Sequence, residues 1–427
     1  MTTTPGKPDI EHKSGSRVES ILPAEPPGNP TVLYLATIAF FFCFAIWTLY
    51  APLGPYLMKW YGLSAGQVLI LVAIPALLGS VLRIPIGVLA DKYGGRVVFT
   101  LLLFFVTFPL VGAMFVDSYV MFLICGLFFG VAGASFIVGV VHVSAWYPQT
   151  KQGTALGVYG VGNVGTIMAT MFVPILINNV FGDPATGPSM ITLGLIEGWH
   201  LIFGIYAVPV FILGAVYWMM TFEPPGRQNP GSFRALFGVY KLSRLAWIFS
   251  YFYWVTFGGF VSFSLFLPTY FYDRWAVDRA QASFVYTTIF VLVAALTRPF
   301  GGWISDKINP RRILIVTFGV SLVLLVVMTT ETSFSIQLGC VYLFGFCCGI
   351  GNGCVFKLIP SYFTAVGAAG GLAGAVGGVG GFLMPIVMGM VKDMTGSYAY
   401  GFGIWAVICL GTLVIALTPS LFGKEKS

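Results

Sequence analysis

Residues 83–96 read RIPIGVLADKYGGR, and residues 298–307 read RPFGGWISDK. In both stretches a Gly follows the Arg by four positions, and Asp-Lys follows that Gly by four more. The two Arg are 215 positions apart, and the same spacing separates the two Gly and the two Asp. A repeat at about half the length of a 427-residue chain predicts two halves with the same architecture.

The composition predicts that both halves lie in a membrane. Hydrophobic residues make up 57% of the chain and charged residues only 9%, and the mean hydropathy is +0.90. A soluble domain carries about 25% charged residues, and so few charges leave a large apolar surface uncovered in water. The lipid bilayer is therefore the expected environment.

Twelve apolar runs reach the length of about 20 residues that a membrane span needs. They cover about residues 33–58, 66–90, 97–116, 119–147, 152–181, 199–222, 245–272, 281–305, 312–330, 334–363, 365–391 and 398–421. We predict an all-α membrane protein with a disordered tail at 1–30, a six-helix bundle at 31–222, a charged linker at 223–244, a second six-helix bundle at 245–421 and a short tail at 422–427. The first tail has no apolar core, so it is not a signal peptide.

The positive charges predict which side of the membrane each loop faces. With the N-terminus inside, fifteen of the 22 Lys and Arg fall in inside segments, four fall in outside loops and three fall within spans. Such an excess is typical of cytoplasmic loops, so we predict a multi-pass protein of the cell membrane with both termini in the cytoplasm. The net charge of +7 is spread over these short loops, and we therefore expect no nucleic-acid partner.

Three ionised side chains fall within the spans, namely Arg83, Arg298 and Lys357, whereas all 15 acidic residues fall in tails, loops or helix ends. An Arg inside a bilayer costs at least about 2.5–3.5 kcal/mol, and it is usually paired or faces a water-filled cavity. Because the spans offer no carboxylate, we infer that the missing partner is an anionic substrate.

Arg83 and Arg298 are predicted to lie at the same depth. Each precedes the Asp at the end of its span by eight residues, which corresponds to about 12 Å along a helix. Carriers built from repeats bind their substrates near the midplane, at the interface of the repeats. The alternative is that both side chains extend along the lipid-facing surface toward water. The neighbouring Pro85 and Pro299 favour the interior, because irregular helix is tolerated there.

A planar guanidinium forms two parallel hydrogen bonds with a planar oxyanion, so nitrate and nitrite fit two opposed Arg better than sulfate or phosphate does. Phe136, Tyr253 and Phe257 are candidates for aromatic faces that hold such an ion.

Spans 5 and 11 are rich in glycine, and small faces let helices approach and slide. We predict such faces for Gly157, Gly160, Gly162 and Gly165 in span 5 and for Gly371, Gly374, Gly377, Gly378 and Gly381 in span 11. Asn163, an amide among these glycines, can donate a hydrogen bond to an oxyanion.

Residues 87–96 resemble the loop signature of the major facilitator superfamily, and residues 302–312 resemble a weaker copy of it. The glycine-rich parts of spans 5 and 11, with the two Arg, resemble the paired signatures of its nitrate/nitrite porter family, and the resemblance covers about residues 33–420.

The resemblance implies twelve transmembrane helices in two six-helix bundles. It also implies substrate contacts from Arg83, Arg298, Asn163, Phe136, Tyr253 and Phe257, and the repeated signature predicts a gating cluster of Gly87, Asp91, Arg96, Gly302, Asp306, Arg311 and Arg312. Gly380 is the predicted counterpart of Asn163 in span 11, so the amide is not repeated.

The resemblance implies transport of nitrate and nitrite, and two opposed Arg that repel each other without an anion favour exchange of one ion for the other. Proton-coupled nitrate symport is an alternative, with His142 and Lys357 as candidates along a proton or anion path. Exchange of small carboxylates such as oxalate or formate is another alternative, and a sensor built like a transporter is a third.

The spans have no clustered His, Cys, Asp or Glu ligands and no nucleophile–base motif, so we predict no enzyme activity, no metal and no cofactor. We expect the chain to act as a monomer.

Overall fold

The computed structural model describes residues 27–63, 65–182, 196, 198–225, 233, 238, 243–277, 281–330 and 332–422. Within these residues, twelve helices are long and apolar enough to cross a membrane. They are α1 Pro30–Gly54, α2 Ile70–Tyr93, α3 Gly95–Ala113, α4 Tyr119–Trp146, α5 Gln149–Phe181, α6 Gly198–Met220, α7 Arg244–Trp275, α8 Val285–Lys307, α9 Pro310–Met328, α10 Phe334–Tyr362, α11 Val366–Thr395 and α12 Ala399–Leu417. The predicted all-α fold with twelve spans is confirmed.

The ends of the predicted segments are described only in part. Helix α1 begins at Pro30, because the Asn29 side chain accepts a hydrogen bond from the Val32 amide and caps the helix there. Residues 1–26 of the first predicted tail, most of the predicted linker 223–244 and residues 423–427 lie outside the described residues. The predicted domain limits at these places stay predictions.

The two halves of the chain pack in the same way. Within the first half α3 packs along α6, and within the second half α9 packs along α12. Between the halves, α2 packs along α11 and α5 packs along α8. The sequence repeat therefore gives two bundles that meet along two matching seams.

Glycine pairs allow the close approach of the helices at these seams. A methyl group on Gly87 of α2 would collide with the carbonyl oxygen of Gly367 on α11. In the same way, a methyl group on Gly302 of α8 would collide with the carbonyl oxygen of Gly153 on α5. Small residues of this kind are what lets backbones touch inside a membrane.

Asp91 fastens the first seam where α2 ends. Its Oδ1 accepts a hydrogen bond from the amide N–H of Gly367 at 2.7 Å, and its Oδ2 accepts one from Ala368 at 2.7 Å. Both amides belong to the first turn of α11, where a helix carries partial positive charge and unpaired N–H groups. The carboxylate of one bundle thus caps a helix of the other.

Asp306 fastens the second seam in the same way. It accepts hydrogen bonds from the amide N–H groups of Gly153 at 2.8 Å and Thr154 at 2.7 Å, near the start of α5. The sequence predicts a cluster of Asp with Lys and Arg here, whereas across the seams the two Asp accept four hydrogen bonds from backbone N–H groups and one from the Thr154 hydroxyl. We call the end of the bundles that carries Asp91 and Asp306 the aspartate end.

The Arg residues of the predicted gating cluster bind within their own bundles or are exposed. Arg96 Nε donates to the Trp218 carbonyl oxygen at 3.2 Å, near the end of α6. Arg311 Nε donates to the Ala416 carbonyl oxygen at 2.8 Å, near the end of α12. Arg312 is exposed. Arg96 and Arg311 therefore fasten the last helix of each bundle, while Gly and Asp form the seams.

We expect Gly302→Val to separate α8 from α5 at the aspartate end, because the added side chain overlaps the Gly153 carbonyl group. The opening should be measured as the reactivity of a Ser305→Cys thiol toward a maleimide, since Ser305 is buried at this seam. Labelling should rise severalfold over the same cysteine with Gly302 intact. Gly319→Val is the matched control, because a methyl group there meets nothing within 4 Å. Equal labelling in both valine variants would contradict the role of the glycine seam.

Candidate functional site

Arg83 lies at the seam between α2 and α11 and is fully buried. Its Nε donates to the Gly133 carbonyl oxygen at 3.0 Å, and its Nη1 donates to the Gly374 carbonyl oxygen at 2.7 Å. Gly374 belongs to the opposite bundle, so this hydrogen bond joins the bundles at the depth of the Arg. Among the described residues, Arg83 Nη2 has no hydrogen-bond partner.

Arg298 occupies the matching place at the seam between α8 and α5. Its Nη2 donates to the Tyr253 hydroxyl at 3.1 Å, while Nε and Nη1 have no hydrogen-bond partner in the part of the chain that the structure describes. Neither Arg298 nor Arg83 forms an ion pair with a described carboxylate. Both are at most 1% exposed, which argues against side chains that extend along the lipid-facing surface.

One ring, Phe136 of α4, links the two Arg. The guanidinium carbon of Arg83 lies 5.8 Å from the centroid of this ring, and that of Arg298 lies 4.9 Å from it. A cation over an aromatic face is attracted to it, and more strongly when water is excluded. The two predicted anion-binding groups, one from each bundle, therefore converge on one side chain at the bundle interface.

Tyr253 and Phe257 add an aromatic wall from the second bundle. Their rings stack with centroids 4.9 Å apart and planes 3° apart. The Phe136 ring is nearly parallel to both, at 7° from Tyr253 and 8° from Phe257, with centroids 6.2 and 6.3 Å away. Phe257 also lies 5.2 Å from the guanidinium carbon of Arg83. Parallel faces beside two guanidiniums favour a flat anion over a tetrahedral one.

Irregular turns interrupt three helices at this site. A 3-10 turn at Gly130–Ala134 in α4 contains Gly133, the acceptor of the Arg83 Nε bond. Another 3-10 turn, Val161–Val164 in α5, contains Asn163. A π-helical turn at Trp254–Gly258 in α7 follows Tyr253 and contains Phe257. Such turns are frequent at functional sites, and inside a membrane they are tolerated where they line a site. In α2 and α8 the helix continues through Pro85 and Pro299.

Asn163 is buried close to Arg298. It is 1% exposed, and its Oδ1 has no hydrogen-bond partner among the described residues. Gly160, about one turn earlier in α5, packs directly against the Arg298 guanidinium. The oxygen and nitrogen of an amide exchange places on a flip of the side chain, so Asn163 can present N–H groups to an anion.

The seams correct the predicted register between α5 and α11. A methyl group on Gly160 would meet Arg298 Cδ, and one on Gly374 would meet Arg83 Cδ, so these two glycines occupy matching places. Asn163 lies three residues beyond Gly160, and residues 376–380 of α11, which come shortly after Gly374, are all Gly or Val. The predicted counterpart Gly380 is wrong, because the glycine-rich pattern of α11 fits several registers in sequence. The inference that α11 has no matching amide is unchanged.

The glycines predicted to form sliding faces divide into two groups. Those that pack against the opposite bundle are Gly157, Gly160, Gly371, Gly374 and Gly378. Those that pack against their own bundle are Gly162, Gly165, Gly377 and Gly381. Only the first group borders the interface between the bundles, and sliding along it stays a prediction.

His142 and Lys357 lie nearer the aspartate end. His142 is buried against Gly95, its Nε2 donates to the Phe222 carbonyl oxygen at 3.0 Å, and its Nδ1 then accepts from the Tyr217 hydroxyl at 2.6 Å. Lys357 Nζ lies 2.9 Å from Asp306 Oδ1. Both residues therefore contact groups that position the ends of helices, and a role on a proton or anion path stays a prediction.

The sequence interpretation missed several side chains around the two Arg. Trp47 lies 5.5 Å from the guanidinium carbon of Arg83, and the Tyr159 ring stacks 6.0 Å from Phe136. Phe356 meets Phe136 edge-on at 4.7 Å. In a chain that is 16% aromatic, the sequence does not distinguish a single aromatic residue at a binding site from one in the core. Asn352 could have been found, because it is an amide between two glycines of α10, as Asn163 is an amide among glycines of α5.

A family model described as Major Facilitator Superfamily matches residues 36–287 and 274–426. The chain belongs to the major facilitator superfamily. Among solved structures of the superfamily, a proton:xylose symporter, XylE, superposes with a TM-score of 0.72 at 12% identity, over 90% of this chain and 94% of that one. The human organic anion transporter MFSD10 superposes with a TM-score of 0.70 at 15% identity, over 90% and 99% of the two chains. These likenesses show the shared fold.

Relatives with higher sequence identity carry narrower names. The probable nitrate/nitrite antiporter NarK1 of Thermus thermophilus is 38% identical over 398 residues, which is 88% of each chain. The nitrite extrusion protein of Bacillus subtilis is 32% identical over 88% of this chain and 90% of its own. The probable nitrate transporter NarT of Staphylococcus epidermidis is 33% identical over 92% of this chain and 97% of its own. The predicted place of this superfamily member among transporters rather than enzymes is confirmed.

We expect Arg83→Lys and Arg298→Lys each to weaken nitrate binding by about ten- to hundredfold, because a lysine keeps the charge but loses hydrogen bonds to a charged group. Titration of the purified variants with nitrate measures the loss, and thermal unfolding checks that they are folded. Arg244→Lys is the matched control, since Arg244 is exposed at the start of α7. Near-normal binding to either buried variant would remove the paired-Arg site.

Asn163→Ala should weaken nitrate and nitrite binding by a smaller amount, about two- to tenfold, because one neutral hydrogen bond is lost. The same titration measures it. Unchanged affinity for both anions would show that Asn163 has a structural role only.

Proposed function

We propose that this superfamily member exchanges nitrate and nitrite across the cell membrane by alternating access. The observation that carries the proposal is the pair Arg83 and Arg298, one from each bundle. Both are buried against the same ring, and neither forms an ion pair with a carboxylate in the described part of the chain. An intramembrane cation is costly unless it is paired. A monovalent anion between the guanidiniums would supply the missing partner.

The shape of the site supports a planar monovalent anion. Arg83 Nη2, Arg298 Nε and Arg298 Nη1 are donors without partners among the described residues. Hydrogen bonds from charged donors to oxyanions are the strong ones, and the parallel rings of Phe136, Tyr253 and Phe257 match a flat ion. The names of the relatives as nitrate and nitrite transporters agree with this substrate class.

Alternating access would open the aspartate end and close the other. In the structure the aspartate end is closed by the bonds of Asp91 to the first turn of α11 and of Asp306 to amides near the start of α5. Rocking one repeat against the other around a central site is how carriers of this architecture work. The glycine seams at Gly87 and Gly302 would then separate with the carboxylates.

The two Arg give a reason for exchange. Two positive charges that approach each other where water is excluded repel strongly, because the repulsion is poorly screened there. An anion between Arg83 and Arg298 removes that repulsion and makes closure around the site favourable. Without a bound anion, the protein would change slowly between its two access states. Each nitrate carried in one direction would then be matched by a nitrite or nitrate carried in the other.

The orientation in the membrane is part of the same proposal. The excess of Lys and Arg in the loops at the aspartate end supports a cytoplasmic location for that end and for both termini. The donors from both Arg and the aromatic faces all come from one chain, which supports function as a monomer.

We expect nitrate uptake by reconstituted vesicles to require nitrite or nitrate inside. Vesicles preloaded with nitrite should accumulate labelled nitrate at a rate that is indifferent to a pH gradient, and vesicles without internal anion should not. Arg83→Lys is the inactive control.

Three outcomes would contradict exchange of nitrate and nitrite. Uptake into vesicles without internal anion, driven by an inward proton gradient and lost in His142→Ala or Lys357→Ala, would establish symport. Stronger inhibition by oxalate or formate than by nitrite would identify a carboxylate exchanger. Saturable binding without any flux would identify a sensor.

A further inference from the structure

A second buried amide lies in the second bundle. Asn352 of α10 is 2% exposed, and its Oδ1 has no hydrogen-bond partner among the described residues. A buried polar group that lacks a partner is costly, and polar groups held at membrane depth commonly mark a substrate pathway. Asn352 is therefore a candidate for contact with the transported ion.

The neighbours of Asn352 show where its side chain points. Phe356, one turn further along α10, lies edge-on to Phe136 at 4.7 Å and to Tyr253 at 4.8 Å. Residues four apart lie on the same face of a helix. Gly353, the next residue, packs against the Arg298 carbonyl group. Asn352 thus lies on the face of α10 that is turned toward the aromatic wall, at the level of the Arg298 backbone.

A hydroxyl of α7 lies beside the same stretch of α10. A methyl group on Gly351 would meet the Thr256 side chain. Thr256 is 2% exposed, and its hydroxyl also has no hydrogen-bond partner in the described part of the chain. It belongs to the π-helical turn that follows Tyr253 and contains Phe257. Two buried polar groups without partners therefore border the aromatic wall on adjacent helices.

We propose that Asn352 is a further substrate-contacting residue, whose amide donates a hydrogen bond to the anion held by Arg298. The proposal rests on the anion-exchange function stated above and adds a ligand to it. In the first bundle the amide of Asn163 comes from α5, whereas the matching stretch of α11, residues 376–380, contains only Gly and Val. Asn352 supplies from α10 the amide that α11 lacks, so each bundle contributes one Arg and one amide.

Two substitutions test this assignment. Asn352→Leu removes the amide at similar volume, and it should weaken nitrate binding by about two- to tenfold. Asn352→Asp places a carboxylate beside Arg298, so it should stand in for the bound anion. The anion-free Asn352→Asp protein should unfold at a higher temperature than the unchanged protein, and added nitrate should no longer raise that temperature. A purely structural amide predicts the reverse, because an unpaired buried carboxylate destabilises.

Gln337→Leu is the matched control on the same helix. Gln337 is also a buried amide, but its partners are the Tyr270 hydroxyl at 3.3 Å and the Thr330 carbonyl at 3.2 Å. Its loss should lower the unfolding temperature and leave nitrate affinity unchanged.

The outcomes separate this assignment from the proposed function. If Asn352→Leu and Asn352→Asp both bind nitrate as the unchanged protein does, the assignment is overturned while anion exchange stands. If the unchanged protein shows no saturable nitrate or nitrite binding, the proposed function itself fails, and the Asn352 assignment fails with it.

Discussion

The burial of two guanidinium groups at the interface of the bundles is the constraint on which the rest of the structure depends. Arg83 and Arg298 are removed from water and form no ion pair with a carboxylate of the described residues, so the groups that stabilise them accept a hydrogen bond or present an aromatic face. Hydrogen bonds are accepted by the carbonyl oxygens of Gly133 and Gly374 and by the hydroxyl of Tyr253. Aromatic faces are presented by Phe136 and Phe257. What remains unpaired on the two guanidiniums is the part that an anion can use.

The same constraint explains where the helices depart from regular geometry. A carbonyl oxygen in a regular α-helix is already bonded within its own helix, and a side chain at a fixed helical spacing has a fixed direction. The 3-10 turn around Gly133 makes its carbonyl group accessible to Arg83, and the π-helical turn after Tyr253 lets its ring and that of Phe257 stack in parallel. Three irregular turns, in α4, α5 and α7, therefore lie beside the charges.

The sequence predicts the fold and the centre of the site because both depend on features with a fixed spacing. Length and apolarity predict the twelve helices, and the repeat predicts that Arg83 and Arg298 lie at matching places, since equal distances from Asp91 and Asp306 mean equal depth. The partners of these residues depend on rotations and contacts between helices, which the sequence does not show. Only the structure therefore shows the amide partners of the two Asp, the ion pair of Lys357 with Asp306 and the position of Asn352. The register of α11 was misread for a related reason, because a run of glycines has no side chains to distinguish one turn from the next.

The hydrogen bonds by which Asp91 and Asp306 close the bundles limit which substitutions can preserve this closure in evolution. An ion pair between two side chains can be inverted, because the acid and the base can exchange places and still attract. Four of the hydrogen bonds that Asp91 and Asp306 accept across the seams come from peptide N–H groups, which cannot become acceptors whatever side chain their residue carries. A charge exchange across these seams therefore has no compensating partner. The side chain of Ala368 is therefore freer to vary than the Asp91 carboxylate, whereas the hydroxyl of Thr154 also donates to Asp306. Both positions need small neighbours, such as Gly87 and Gly302, so that the two backbones can touch.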